Sequence, residues 1–341
     1  MESVKPEWLA QVVEDVLDPR LPICDPHHHL WTLHGRYLLD ELVEDLASGH
    51  DVVSTVYVEC GSGYAQDGAT EMQPVGETIF VESVVPRSGA GAAASVAAGI
   101  VGYANLALGT EVSRVLEAHL AASPRHFRGI RGRVTWDPSP EISNGAFDPR
   151  PGWLMDEKFR LGVSCLRQYD LTFDAWLFHH QLPELKSLAI ACPDVAIAVN
   201  HAGAPLGVGP YAGKRKEVME SWRRGMAELA TCPNVFVKLG GLGMPRFGFG
   251  WHMRPCPPSS HELCAATAPY YRFCIEQFGP HRCMFESNFP ADKVSCSYGV
   301  LWNSFKLMTK DLSESERRQL FYGTAASFYR LGSPVLSEGL R

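Results

Sequence analysis

Two features are missing from this sequence of 341 residues: a CxxC pair and a run of basic residues. The ten cysteines are scattered, which excludes a zinc ribbon and favours buried thiols in a reducing compartment. With 31 Lys and Arg against 38 Asp and Glu, no basic patch is expected, so nucleic acid and anionic membranes are poor partners. An apolar run of ~18 to 20 residues is also missing, which excludes a membrane-spanning segment.

The composition that remains is typical of a folded globular protein. Hydrophobic residues make up 45% of the chain and charged residues 20%. The first residues, MESVKPEWLAQVVEDVLD, carry acidic side chains where a signal peptide would place its apolar core, so we expect a cytoplasmic protein. At roughly 150 residues per domain, the length allows two domains or one large α/β barrel with extensions.

Short apolar runs alternate with longer amphipathic stretches along the chain, as in repeated βα units around a parallel sheet. The runs predict eight strands, at 21–27, 52–60, 100–106, 127–134, 171–177, 195–201, 235–239 and 283–288. The stretches predict helices at 38–47, 111–122, 153–166, 182–191, 216–230, 260–278 and 295–310. Ser313 and Glu316 form a capping box that predicts a last helix. This rhythm indicates an α/β fold, a (β/α)8 TIM barrel over 21–332, with an extension at 1–20 and a tail at 333–341.

Two segments do not follow this rhythm. Residues 85–98, VPRSGAGAAASVAA, are low in complexity and predict a flexible linker, with a weak Ala-rich helix as the alternative. Residues 240–260 carry Gly, Pro and aromatic side chains after a predicted strand, where barrel loops build the active site. We therefore expect a lid there, over an apolar or planar ligand, with an inert surface loop as the alternative.

The motif DPHHHLW lies at the end of the first predicted strand. Because strand side chains alternate, Asp25, His27 and His29 share one face while His28 points the other way. Three consecutive histidines are costly to bury for packing alone. His27 and His29 could therefore converge on one metal ion or one substrate oxygen.

Two other strand ends carry polar residues. His201 closes the run AIAVNHAG and becomes a third imidazole at the same barrel face. Glu286 and Asn288 lie on one face of the eighth predicted strand, with Asn288 nearer the mouth; a hydrogen-bonding strap between strands is the structural alternative.

Further candidates follow from charge near the strand ends. Glu59 ends the second strand, where a buried carboxylate needs a partner such as a metal or a histidine. Arg131 and Arg133 lie on the fourth strand, where an arginine could hold a substrate carboxylate or form a structural ion pair. The weaker candidates are His180 and its neighbours Asp174 and His179, Arg128, and Lys238.

The motifs DPHHHLW, FRGIRG, FDAWLFHHQLPEL, NHAG, PNVFVKLGGLG, GPHRCMFESNFPADK and TAASFYRL occur in register from 21 to 331. Together they resemble the amidohydrolase superfamily, in the amidohydrolase-related branch that contains 2-pyrone-4,6-dicarboxylate lactonase and sugar-acid lactonases. The resemblance implies a barrel with its site at the carboxyl ends of the strands, and His27, His29 and His201 as metal ligands. We expect Arg131, Arg133 and Trp31 to contact the substrate.

One position departs from the family pattern. The family places an Asp on strand eight that takes a proton from the attacking water, whereas this chain has Asn288. A neutral amide cannot act as a general base near pH 7. Another group must accept the proton, or the reaction is not the usual hydrolysis. The candidates are Glu286, Glu59, His180 and Asp292.

These observations support three hypotheses. The first is a hydrolase that opens a lactone or another cyclic ester or amide, with one divalent metal ion, Zn²⁺ first and Mn²⁺ or Fe²⁺ as alternatives, or without a metal. In it Asn288 donates a hydrogen bond to the substrate or the oxyanion. The second is a decarboxylase-type lyase on the same barrel, and the third a non-catalytic barrel. The expected partner is a small-molecule substrate, and a homodimer is left open.

Overall fold

The computed structural model describes residues 4–32, 35–85, 94–145 and 148–332. Within these ranges, eight parallel strands pair in sequential order into a nearly closed barrel, which confirms the predicted fold. The strands are β1 Ile23–His28, β2 Val52–Val58, β3 Ser95–Gly102, β4 Phe127–Arg133, β5 Thr172–Trp176, β6 Ile197–Val199, β7 Val235–Leu239 and β8 Cys283–Phe285.

The barrel closes between β1 and the residues that follow β8. The amide of His29 donates to the carbonyl of Phe289 at 2.8 Å, and the amide of Asn288 donates to the carbonyl of His27 at 2.9 Å. The buried Asp25 adds a side-chain link, because it accepts from the Ser287 amide at 2.9 Å. The two predicted polar motifs of β1 and β8 are therefore neighbours in the barrel wall.

Helices surround the sheet. They are α1 Pro6–Leu9, α2 Leu39–Leu46, α3 Val75–Val84, α4 Ser113–Ala122, α5 Glu157–Cys165, α6 Leu182–Ala191, α7 Arg215–Ala230, α8 Ser260–Phe278, α9 Tyr298–Met308, α10 Glu314–Arg318 and α11 Thr324–Phe328. The predicted capping box at α10 is present, with the Ser313 amide 2.9 Å from the Glu316 carboxylate. No helix in the described part of the chain is long and apolar enough to cross a membrane.

The third βα unit differs from the prediction. Strand β3 begins at Ser95, so the residues at 95–98 that were predicted as linker are strand, while 86–93 lie outside the described residues. A 3-10 segment, Leu106–Val112, follows where a strand was predicted to end. The sequence did not predict these bounds because the residues of β3 are small, as close packing requires. A Cβ on Gly99 would lie 3.1 Å from the Leu331 side chain. Helix α3 was missed.

A second cluster of buried apolar side chains lies among the strands. Cys24, Val56, Val101 and Met284 pack together, and Tyr329, which follows α11, joins them. In (β/α)8 barrels the functional site lies at the carboxyl ends of the strands, so the polar residues at the ends of β1, β6 and β8 are the candidates for it.

The amino-terminal segment packs along the outside of the barrel. The Trp8 indole donates to the carbonyl of Arg254 at 2.9 Å, and Glu14 accepts from the Ser260 amide at 2.7 Å. Both contacts lie at the end of the predicted lid segment, so the extension anchors that segment where it enters α8. The predicted tail at 333–341 lies outside the described residues.

Candidate active site

The carboxylate of Glu286 lies between two imidazoles just past the end of β8. Its Oε1 atom is 2.6 Å from Nδ1 of His201, and its Oε2 atom is 2.8 Å from Nδ1 of His27. All three side chains are buried. The Oε2 contact lacks hydrogen-bonding angles, so this buried oxygen has no hydrogen-bond partner among the described residues. Burial raises the pKa of Glu286 to about 8, because a buried carboxylate loses its hydration.

His201 owes its position to a left-handed turn after β6. Residues 201 to 204 all have positive φ, with 54° at His201, 49° at Ala202 and 44° at Ala204. Such a conformation costs roughly 1–2 kcal/mol for each non-glycine residue. Contacts offset this cost: the His201 amide donates to Glu286 Oε1 at 3.1 Å, and the Trp222 indole donates to the Ala202 carbonyl at 2.6 Å. Backbone strain of this kind often occurs at functional sites.

The three histidines of β1 have separate environments. His28 points out of the site, with Nε2 2.9 Å from the Thr55 hydroxyl, as alternation predicts. His29 faces inward, its ring 4.9 Å from that of His27, and its Nδ1 donates to the Val58 carbonyl at 2.7 Å. Trp31 stacks on His29, with ring centroids 5.5 Å apart. Burial lowers the pKa of His27, His28 and His29, so their imidazoles are neutral at pH 7.

Glu59 holds two arginines of β4. It accepts from Nε of Arg131 at 2.6 Å, and from Nε and Nη2 of Arg133 at 2.6 Å each. Burial alone would raise the pKa of Glu59, but the two guanidinium groups lower it to about 2. The Nη1 atom of Arg131 faces Nε2 of His27 at 3.4 Å. This carboxylate is thus a weak base, and one arginine reaches the histidines.

A second ion pair supports His27 from below. Lys238 of β7 lies 2.6 Å from Asp174 of β5, and both side chains are fully buried. The ammonium group also donates to the Pro26 carbonyl at 2.9 Å and lies 3.4 Å from Nδ1 of His27. The Tyr329 hydroxyl donates to Asp174 at 2.8 Å. The weaker candidates Lys238 and Asp174 therefore form one network beneath the site.

Asn288 is bound to a neighbouring carboxylate. Its Nδ2 donates to Oδ1 of Asp292 at 2.7 Å, and the Gly243 amide donates to Oδ2 of the same group at 2.8 Å. Burial raises the pKa of Asp292 to about 8. Both Asp292 oxygens are therefore engaged, and the amide at 288 donates to this buried acid without adding a second acidic group.

We predict that Asn288→Asp lowers stability rather than restoring a base. Two carboxyl groups about 2.7 Å apart cannot both ionise, so one must keep its proton or the pair must separate. We expect the free energy of unfolding in urea at pH 7 to fall by roughly 1–3 kcal/mol. The swap Asn288→Asp with Asp292→Asn keeps one amide and one acid and should recover most of the loss. An Asn288→Asp variant as stable as the wild type would contradict this account.

Residues of the loops that follow β4, β5 and β7 lie around the candidate active site. His180 bonds through Nε2 to the Trp136 carbonyl at 2.8 Å and lies among β4 and β5 loop residues rather than against His27. Arg246, in the predicted lid segment, lies with its guanidinium 5.5 Å from the ring centre of Trp176. Trp176 in turn meets the His201 ring edge-on at 4.6 Å. The segment at 240–260 thus approaches the site through Arg246.

Glu77 of α3 was not among the predicted site residues. One oxygen of this buried carboxylate accepts from the Tyr57 hydroxyl at 2.7 Å and from the amides of Cys60, Gly61 and Ser62 at 2.8 to 3.0 Å. Burial, and then the charge of Glu59, raise its pKa to about 7. The contacts fix the loop after β2 that carries Glu59. No sequence signal marked Glu77, because α3 itself was not predicted.

The residues present fit a divalent metal ion. In the described part of the chain, His27, His201 and Glu286 form a group whose potential ligand atoms all lie within 4.8 Å of one another, and His29 is not part of it. Two imidazoles and one carboxylate are donors that Zn²⁺ accepts. The Glu286 oxygen without a hydrogen bond adds an acceptor for a cation.

The chain is similar to several known proteins. The family model described as amidohydrolase matches residues 24–331. The chain is 31% identical to uncharacterized protein y4mH of Sinorhizobium fredii, over 91% of this chain and 99% of that protein. It is 27% identical to L-fucono-1,5-lactonase of Burkholderia ambifaria, over 91% of this chain and 96% of the relative.

A solved structure shows the same fold. It is an amidohydrolase from Burkholderia multivorans with bound zinc, with a TM-score of 0.69 and 23% identity over 91% of this chain and 99% of that one. The family match covers most of the chain. This chain therefore belongs to the amidohydrolase family, and it is a hydrolase.

Proposed function

We propose that this hydrolase opens a lactone by attack of water on the ring carbonyl, with Glu286 as the proton acceptor. The observation that carries the proposal is the buried Glu286 carboxylate between His27 and His201, with the Arg131 guanidinium beside them. Relatives named lactonases support a lactone as the substrate and favour hydrolysis over the lyase alternative.

Glu286 suits the role of base better than the other candidates. Glu59 is held by two arginines at a pKa of about 2, and both oxygens of Asp292 accept hydrogen bonds. His180 bonds to a loop carbonyl at the rim. Oε2 of Glu286 has no hydrogen bond, and the raised pKa makes the ionised form a stronger base than an exposed carboxylate. Glu286 thus takes over the role that the family gives to the residue at 288.

Arg131 is placed to stabilise negative charge on the carbonyl oxygen. Its Nε and Nη2 donate to Glu59, while Nη1 lies 3.4 Å from Nε2 of His27. A guanidinium fixed in advance needs no reorganisation when the oxyanion forms, which is the main source of its effect. Glu59 is therefore a positioning residue for Arg131.

The proposed reaction needs only one proton acceptor. Water forms a bond from its oxygen to the carbonyl carbon, and its proton passes to Glu286. The ring C–O bond breaks, the proton passes from Glu286 to the departing ring oxygen, and the product is a hydroxy acid. The His201 side chain and backbone amide both donate to Oε1 of Glu286 and hold the carboxylate in place during both transfers.

His27 and His201 would hold a divalent cation, with His29 as the further predicted ligand, while Oε2 of Glu286 stays available for the proton. We propose zinc, with Mn²⁺ or Fe²⁺ as alternatives; when bound, such an ion polarises the carbonyl oxygen as a Lewis acid. The homodimer, the cytoplasmic location and the domain boundaries at 20 and 332 stay predictions.

The test combines an assay with metal analysis. Purified protein is mixed with L-fucono-1,5-lactone and with a five-membered aldonolactone, and acid release is followed with a pH indicator. Metal content is measured by plasma mass spectrometry before and after chelation, for wild type and His201→Ala. We expect lactone opening well above the buffer rate, close to one metal ion per chain, and loss of both in the variant. Equal activity in His201→Ala, or no lactone opened, would refute the proposal.

A further inference from the structure

Glu77, in the first turn of α3, is a buried carboxyl group that the proposed reaction does not use. Its Oε1 atom accepts from the Tyr57 hydroxyl at 2.7 Å and from three consecutive amides, those of residues 60–62, at 2.8 to 3.0 Å. Its Oε2 atom has no hydrogen-bond partner among the described residues. Burial of a carboxyl group is costly unless hydrogen bonds offset the lost hydration, and here all of those bonds converge on one oxygen.

The peptide group between Glu59 and Cys60 has Glu77 on one side and Arg131 on the other. Its N–H belongs to Cys60 and donates to Oε1 of Glu77 at 2.8 Å. Its carbonyl belongs to Glu59 and accepts from Nη2 of Arg131. Because a trans peptide group is planar and its N–H and C=O point in opposite directions, the bond to Glu77 fixes the direction of the carbonyl that Arg131 contacts. A single peptide group therefore joins Glu77 to Arg131.

Arg131 takes its orientation from Glu59. Its Nε donates to the Glu59 side chain at 2.6 Å and its Nη2 donates to the Glu59 carbonyl, while Nη1 lies 3.4 Å from Nε2 of His27. Two donors of one planar guanidinium group, bound to two acceptors, define the plane of that group. If the 59–60 peptide group turned, Nη2 would lose its acceptor and Nη1 would change its position beside His27.

The start of α3 packs closely against the loop that follows β2. A Cβ on Gly76 would lie 2.5 Å from the Ala65 amide nitrogen and 2.6 Å from the Gly63 carbonyl oxygen. A Cβ on Gly63 would lie 2.7 Å from the Phe80 side chain. Because backbone meets backbone at Gly76, the helix cannot slide along the loop without a collision. The helix therefore presents Glu77 to the loop at a fixed place.

We propose that Glu77 is a positioning residue for the reaction: it orients the 59–60 peptide group and thereby holds the Arg131 guanidinium where the oxyanion forms. The inference rests on the proposed function, in which Arg131 stabilises the oxyanion. The hydrogen bonds of Glu77 go to β2 and to the loop after it, so Glu77 acts on the reaction through Arg131. Hydrogen bonds in a chain polarise one another, so the bond from Cys60 to Glu77 also makes the Glu59 carbonyl a better acceptor.

The test replaces Glu77 by side chains that remove or keep the acceptor oxygen. Glu77→Met fills a similar volume without an acceptor, and we expect kcat for lactone opening to fall about 20- to 100-fold. KM should stay within about threefold of the wild type, because Arg131 acts on charge that forms only in the transition state. Glu77→Gln keeps a carbonyl oxygen for the four donors and should retain at least about a third of kcat.

Glu82→Met is the matched control. Glu82 is a second carboxylate of α3, half-buried, and it accepts from Nδ1 of His126 at 2.9 Å rather than from the loop after β2. We expect its kcat within twofold of the wild type. A Glu77→Met variant with full kcat, or a Glu82→Met variant that loses as much, would overturn the proposal. If Glu77→Met does not fold, Glu77→Asp withdraws the oxygen by one methylene, and unchanged kcat in that variant would overturn it equally.

A double-mutant cycle distinguishes positioning from a general loss of order. In an Arg131→Lys background the planar guanidinium group is absent, so Glu77→Met should lower kcat by less than about threefold further. A further loss as large as in the wild-type background would mean that Glu77 does not act through Arg131.

A spectroscopic measurement separates this inference from the proposed function. The Nε–H signal of Arg131 in nitrogen-15 NMR, assigned with Arg131→Lys, reports the bond to Glu59 without any substrate. We expect Glu77→Met to shift this signal and to speed its exchange with water, and Glu82→Met to leave it unchanged. If no lactone is opened, the proposed function fails, yet a shifted signal still supports the link from Glu77 to Arg131. An unchanged signal in Glu77→Met overturns that link whether or not lactones are opened.

Discussion

Glu286→Gln should lower kcat for lactone opening by at least about a thousandfold while the protein stays folded. The amide keeps the shape of the side chain but cannot accept the proton of the attacking water, and a positioned general base contributes about 10²- to 10⁴-fold to a rate. Because the carboxylate is buried and its pKa is raised to about 8, the neutral amide should not destabilise the barrel by its lack of charge. Stopped assays of lactone opening measure kcat, and circular dichroism shows whether the protein stays folded.

A matched control separates the chemistry from a general effect of losing a carboxylate. Glu184→Gln makes the same change in a half-buried carboxyl on α6, whose pKa burial also raises. We expect its kcat within twofold of the wild type. Retention of more than a tenth of the activity by Glu286→Gln would assign proton transfer to another group, with Asp292 as the next to change.

The sequence predicted the candidate site residues better than it predicted the groups that they contact. Alternation along β1 separates His28 from His27 and His29, and the spacing of β8 puts Glu286 near the barrel mouth, because both follow from the period of a strand. The sequence did not predict the partner of Glu59. A metal or a histidine was expected, and the structure shows Arg131 and Arg133 instead. Which side chains face each other across β2, β3 and β4 depends on register, which hydrophobic pattern alone does not give.

The turn that carries His201 is a second feature that the sequence does not predict. A run of four residues with positive φ carries almost no sequence signal, since only Gly203 among them favours that region. The conformation is imposed by tertiary contacts from Glu286 and Trp222, which lie far away along the chain. The predicted bounds of β3 were wrong for a related reason. Its small residues allow close packing against neighbouring segments, and a run of small residues resembles a linker.

Gly241→Ala should disable the site through a single methyl group. Gly241 follows β7 with φ of 76°, and a Cβ there would lie 2.3 Å from Nδ1 of His201. No real Cβ comes so close, so the imidazole must move, and His201 would lose its contact with Glu286 at 2.6 Å. We expect kcat/KM to fall by at least about a hundredfold, because a shift of about 1 Å in a catalytic group can cost that much.

Gly213→Ala provides the control for backbone strain. Gly213 has φ of 74°, nearly that of Gly241, yet a Cβ there would meet no atom within 4 Å. Both variants therefore pay the same left-handed penalty, roughly 1–2 kcal/mol in the free energy of unfolding. Only Gly241→Ala adds the collision with His201, so the difference in activity between the two variants isolates the position of that ring. Activities within threefold of each other would mean that the place of His201 against Glu286 does not govern the reaction.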